Sequence, residues 1–237
     1  MALNYSILDQ SPISEGSSPQ EALKQTAILA QKAEQWGYTR FWVSEHHDAT
    51  TLAGSSPEVL IAHLGAVTKT IRLGSGGVML PHYAPFKIAE NFKLLEALYP
   101  DRIDAGVGRA PGGMPRASYA LNEGKKRDTS KFPAQIDDLR MYLTDSIPEE
   151  HPYYGMKATP VTKHSPPIWV LGSSENSAQL AADKGLPICS PISSTAKAGS
   201  SLPKNTVNAS SPIRTVNPMS ALLFLWSARK HRNKRNE

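Results

Sequence analysis

Four clusters of polar or glycine-rich residues carry the chemistry this chain could perform. Ser44-Glu45-His46-His47 offers imidazoles, which exchange protons near neutral pH or steady a developing anion, beside a carboxylate able to fix a tautomer. Adjacent side chains on extended backbone point opposite ways, so the two histidines do not both face one site. A metal centre needs further ligands, and the sequence has no H-x-x-x-H or C-x-x-C spacing, so no metal is assigned. A catalytic histidine and a structural histidine pair both remain open. Gly74-Ser75-Gly76-Gly77 lies inside an apolar run, where bare backbone forfeits packing. Either a bulge or a flat heteroaromatic ring lying on Gly76-Gly77 accounts for it.

Two further clusters suit an anion. Gly106-Val107-Gly108-Arg109-Ala110-Pro111-Gly112-Gly113 departs from the G-x-G-x-x-G dinucleotide turn, because Pro111 takes the third glycine's place and no helix is expected directly after it. It reads better as a loop aiming Arg109 at a phosphate, which a guanidinium holds through paired hydrogen bonds; a surface ion pair is the alternative. Leu171-Gly172-Ser173-Ser174-Glu175-Asn176-Ser177 runs from a strand straight into a helix N-terminus. Free N–H groups, the helix dipole and hydroxyls favour phosphate there, although N-capping by Ser173 or Ser174 explains one serine by itself.

The elements that must position these clusters alternate between short apolar strands and amphipathic helices. Strands are expected over 3–8, 40–44, 71–80, 102–107, 167–171 and 186–189. Helices are expected over 19–36, 57–67, 85–98, 132–143 and 175–184, with Ser18-Pro19 and Ser56-Pro57 as starts and Gly37 as a stop. The buried faces are read as Leu23, Ala27, Ala30 and Ala33 in the first helix and Val59, Leu60, His63 and Val67 in the second. Ile88, Phe92, Leu95 and Leu98 serve in the third, and the stretch 108–131 reads as a long loop. Crossovers of this length and strands this apolar define βαβ units in a parallel sheet covered by helices. Every cluster then falls where a strand hands over to a loop, which is where such folds gather ligand-binding groups. An open doubly wound sheet and a (β/α)8 barrel both satisfy this periodicity.

Charge divides the chain. Of 237 residues, those from Ser190 onward carry eight Lys/Arg and one acid, leaving 18 basic and 20 acidic side chains before them, a net charge of −2. A nearly neutral body argues against binding to a nucleic-acid backbone. Residues 190–237 also hold nine serines and no helical stripe before 219–226, so this basic segment reads as out-of-frame or disordered sequence. The single cysteine, Cys189, the lack of a secretory leader and the lack of a membrane-spanning run point to the cytoplasm.

The stretches RFWVSEHH, SSPEVLIAHLGAVTKTIRLGSGGVMLPHYAP, AENFKLLEALYPDRIDAGVGRAPGG and PIWVLGSSENSAQLAADKGLP, in that order, resemble the bacterial luciferase-like flavin monooxygenases over residues 3–189. The resemblance implies an α/β fold of the (β/α)8 TIM-barrel type, incomplete here at about five and a half units. It implies a catalytic role for His46 and a non-prolyl cis peptide at Gly76-Gly77 beneath an isoalloxazine ring. FMN phosphate would be bound by Arg109, Gly172, Ser173, Ser174 and Ser177, and Gly108 excludes the thiol that some relatives carry there. Reduced FMN, rather than a deazaflavin, would react with O2 to oxygenate a small organic substrate. A flavin reductase and a second copy of the chain are the implied partners. A flavin-binding or inactive remnant without turnover is the alternative function.

Overall fold

The computed structural model describes residues 6–189, and within them every strand pairing is parallel. The elements follow in the order β1 (Ser6–Asp9), α1 (Pro19–Gln35), β2 (Arg40–Val43), α2 (Pro57–Val67), β3 (Arg72–Ser75), β4 (Val78–Met79) and α3 (Pro85–Leu98). Then come β5 (Ile103–Gly108), α4 (Pro115–Leu121), α5 (Phe132–Thr144), β6 (Ile168–Leu171), α6 (Glu175–Asp183) and β7 (Ile188–Cys189). Proline occupies the first turn of α1 to α5, where its missing N–H costs nothing. The Ser18 hydroxyl accepts from the Glu21 N–H at 3.2 Å to cap α1.

The sheet runs β1-β2-β3-β5-β6-β7, with β4 also paired to β5, and curls as an incomplete α/β barrel. One strand face, including Ile7, Phe41, Val43, Leu73, Ile103, Ala105, Val107, Ile168 and Val170, packs under the helices as the main core. The other face looks into the barrel and is built in layers. At its floor the fully buried Asp104 carboxylate accepts from Arg40 Nε (3.1 Å), Arg72 Nε (3.0 Å), Arg72 Nη2 (2.8 Å) and Trp169 Nε1 (3.1 Å). Above it, the Trp42 and Trp169 rings meet edge to face with centroids 5.5 Å apart. Glycine at 74 makes room for this pair, since a Cβ there would strike the Trp42 ring.

Four expectations need correcting. The strand over 71–80 is two strands broken at Gly76-Gly77, and Leu80 opens a 3₁₀ turn instead of ending the strand. The stretch 108–131 contains α4, which buries only Ala117 among its own residues and so leaves no stripe to read. In α2 the buried residues are Pro57, Leu60, Ile61, Leu64 and Gly65, whereas Val59 is 72% exposed and His63 is exposed. That helix is apolar nearly all round, so periodicity alone does not select its face. Likewise Leu98 of α3 is exposed, while Ile88, Phe92 and Leu95 are buried as read. The proposed start of β1 at Leu3 and the 190–237 segment lie outside the described residues, and no described helix is long and apolar enough to cross a membrane.

Removing one partner from a saturated buried ion cluster strands the remaining charges. Asp104→Ala is therefore expected to lower unfolding free energy by about 3 kcal/mol or more, read from urea denaturation.

Candidate active site

The four clusters lie on neighbouring strands at one level. Val43 pairs with Ser75, Met79 with Gly108, and Gly108 with Leu171, so the segments following β2, β3, β5 and β6 leave the sheet along a single rim. The His46 loop is stitched to its surroundings there. Its N–H groups at His46 and His47 donate to Gly54 O (2.8 Å) and Gly112 O (2.7 Å), and Ala53 N–H donates to Ser11 O (2.9 Å). Arg116 at the start of α4 also pairs with Asp48.

His46 and His47 have different partners, as opposed side chains require. Ser44 Oγ lies 3.1 Å from His46 Nδ1, and His46 Nε2 has no hydrogen-bond partner among the described residues. The Glu45 carboxylate, read as able to fix the imidazole tautomer, serves His47 instead, with Oε1 2.7 Å from Nε2. Burial pushes the His46 pKa below its ordinary 6.5, and the neighbouring His47 lowers it further against the opposing pull of Glu45. His46 is thus neutral at pH 7, with Nε2 left unpartnered among the described residues.

The Gly76–Gly77 peptide is cis. A Cβ on Gly77 would lie 2.9 Å from Gly106 O, so packing against the neighbouring backbone demands glycine there, whereas one on Gly76 would meet the end of the Leu8 side chain, Cδ1, at 2.5 Å. Arg109, directly after β5, is exposed, and its guanidinium has no acidic partner among the described residues. Facing it across the β5–β6 pairing is the Gly172 turn. Ser174 N-caps α6, its Oγ accepting from Ser177 N–H at 3.3 Å and lying 3.0 Å from Ser177 Oγ. The capping alternative therefore holds at Ser174. Gly172 is bare because a Cβ would collide with Ser177, while Ser173 is exposed at the mouth of the turn.

Sequence reasoning missed Arg127. Its Nη1 donates to Arg109 O (3.0 Å) and Ala110 O (2.6 Å), holding a second guanidinium against the backbone of the Arg109 loop; burial and then the charge of Arg109 lower its pKa. Two cations crowded together without an acid gain from a shared anion. Its only sequence signal was a basic residue in a stretch read as loop. Also missed were Tyr83, whose hydroxyl donates to Glu45 Oε1 at 2.8 Å, and His82, whose Nε2 lies 3.0 Å from Pro111 O and Nδ1 2.8 Å from Asn122 Nδ2. Among the described residues, no three His, Cys, Asp or Glu side chains stand where they could hold a metal ion.

This geometry defines part of a parallel β/α barrel whose four polar clusters share a rim at the carboxyl ends of its strands. The family model for luciferase-like monooxygenases matches residues 3–210, and the chain belongs to that family. It is 59% identical over 183 residues to the uncharacterized protein YwcH of Bacillus subtilis (strain 168), covering 77% of this chain and 55% of that one. Against the N-acetyl-S-alkylcysteine monooxygenase of the same organism, identity is 46% over 184 residues, covering 78% and 55%. The solved structure of apo-MsnO8 superposes with a TM-score of 0.75 at 39% identity, covering 80% of this chain and 56% of that chain. The fold is shared with the oxygenating constituent of 3,6-diketocamphane monooxygenase from Pseudomonas putida in complex with FMN (TM-score 0.67, 21% identity, 81% and 58% covered). It is shared also with the coenzyme F420-dependent tetrahydromethanopterin reductase from Methanopyrus kandleri (TM-score 0.57, 15% identity, 81% and 56% covered). The chain spans about half the length of the curated relatives it matches.

A histidine whose pKa is depressed on folding binds fewer protons folded than unfolded below the ordinary value, so stability falls as pH drops through that range. His46 is expected to titrate below 6.5 by NMR. His46→Gln, which cannot take up the proton, is expected to gain stability relative to the parent chain as pH falls below 6.5 in pH-resolved urea melts.

Proposed function

We propose that the chain is a flavin-dependent monooxygenase that uses reduced FMN and O2 to oxygenate a small organic molecule. The observation that carries this reading is the register pairing Gly108 with Leu171, which sets Arg109 and the Gly172 turn side by side at the rim. Arg109 and Arg127 would hold the phosphate from one side. The first N–H groups of α6, with Ser173 and Ser177, would hold it from the other, because helix N-termini carry unpaired donors. The Gly76-Gly77 segment would lie beneath the ring, and Ser174 acts mainly by capping α6.

Reduced FMN would supply the electrons that activate O2. FMN suits the proposed reaction better than a deazaflavin, because carbon in place of the ring nitrogen makes reduced deazaflavins sluggish toward O2. His46 contributes a neutral imidazole whose Nε2 accepts or returns a proton at the reacting centre, with Ser44 Oγ holding Nδ1. A flavin reductase is the partner that would deliver the reduced cofactor. A thioether-bearing amino-acid derivative is the first substrate to try, given the name of the 46%-identical relative.

Titration of the purified chain with FMN and with riboflavin, which lacks the phosphate, tests the reading. Arg109→Ala is expected to weaken FMN at least about tenfold, the scale of a charged hydrogen bond, and to leave riboflavin unchanged. His46→Gln is expected to keep FMN affinity and lower substrate-dependent O2 uptake by about 10²-fold. Equal affinity for FMN and riboflavin sinks the phosphate assignment. FMN binding without O2 uptake by the parent chain leaves a flavin-binding remnant, which the sheet edges at β1 and β7, unpaired among the described residues, favour.

A further inference from the structure

The Glu45 carboxylate is buried at 1% exposure and takes no part in the chemistry above, yet it gathers donors from two segments. Oε1 accepts from Tyr83 OH at 2.8 Å and lies 2.7 Å from His47 Nε2, while Oε2 accepts from Met79 N–H at 2.9 Å. Met79 belongs to β4, two residues beyond Gly77, and Tyr83 follows the turn after it. One side chain at the end of β2 is thereby bolted to the backbone that emerges from the Gly76–Gly77 peptide. His47 is gripped twice, its ring by Glu45 and its N–H by Gly112 O at 2.7 Å.

We infer that Glu45 is a positioning residue for His46, acting through His47 and Met79. His46 and His47 leave the backbone on opposite sides, so clamping the His47 ring fixes the rotation of the dipeptide and the direction of His46. The Met79 bond ties the segment carrying that dipeptide to the strand that leaves Gly76-Gly77. The Tyr83 hydroxyl keeps its proton to donate, because burial and the nearby Glu45 and Glu58 carboxylates hold its pKa well above the ordinary 10.0. A carboxylate buried only to satisfy the core would affect stability alone. A positioning carboxylate also governs where the His46 ring sits, and the inference rests on His46 being the catalytic histidine proposed above.

The test follows the His46 ring signal by NMR in the flavin-free chain of 237 residues, assigned by its loss in His46→Gln. Glu45→Ala is expected to displace or broaden that signal. Glu45→Gln, whose amide can accept from Met79 and donate to His47, is expected to restore it. His47→Ala leaves Glu45 and its Met79 bond in place and provides the same reading should Glu45→Ala not fold. With FMN and substrate saturating, Glu45→Ala is expected to cut kcat about tenfold or more with KM little changed, and Glu45→Gln to recover most of it. A His46 signal unmoved in folded Glu45→Ala or His47→Ala overturns the inference, as does a folded Glu45→Gln that fails to restore it. If the signal moves but FMN does not bind, the functional reading falls and the positioning role stands. If FMN binds through Arg109 and the signal stays still, the reverse holds.

Discussion

A single carboxylate organises this half of a barrel. Asp104 sits at the base of the interior and is shared by Arg40 of β2, Arg72 of β3 and Trp169 of β6, so four adjacent strands converge on one atom group. An isolated charge at that depth would cost several kcal/mol of desolvation, and only the fork of Arg72, the Arg40 contact and the indole N–H offset it. The same four strands carry the histidine loop, the glycine break, Arg109 and the serine turn at their other ends. Closing the bottom with a charged plug leaves the top as the place where side chains can diverge and meet a ligand.

The rim shows the opposite electrostatic design. Arg109 and Arg127 crowd together there without an acid, while Glu45 is kept beneath the surface and filled with donors. An exposed Arg109 near a partly buried Arg127 is tolerated while water screens the pair, and an anion would be favoured between them. The cross-links between the His46 loop and the segments at Ser11, Gly54, Gly112 and Arg116 keep that surface from relaxing when the ligand is absent.

Much of this was legible in the sequence because parallel strands covered on both faces read as apolar runs, and proline marks the starts of α1 to α5. The residue types at the strand ends pointed to the His46 loop, Arg109 and the Gly172 turn, and the strand register brings these segments to one rim. What stayed hidden has specific causes. Helix α4 packs too little of itself to leave a stripe, and α2 offers apolar residues in every direction. Tyr83 reaches Glu45 across 38 positions and Arg127 reaches Arg109 across 18, so neither spacing carries a signal. The division of labour between His46 and His47 depends on rotamers and could be narrowed only to opposite directions.

The two tryptophans stacked edge to face above Asp104 give the chain its own optical gauge. Indole emission overlaps flavin absorption, so a yellow cofactor seated on the neighbouring glycines would drain light from Trp42 and Trp169. The buried Trp42 Nε1 lacks an acceptor among the described residues, leaving its emission sensitive to any polar group that enters beside it. Colourless ligands and coloured ones would then leave different marks on the same pair of rings.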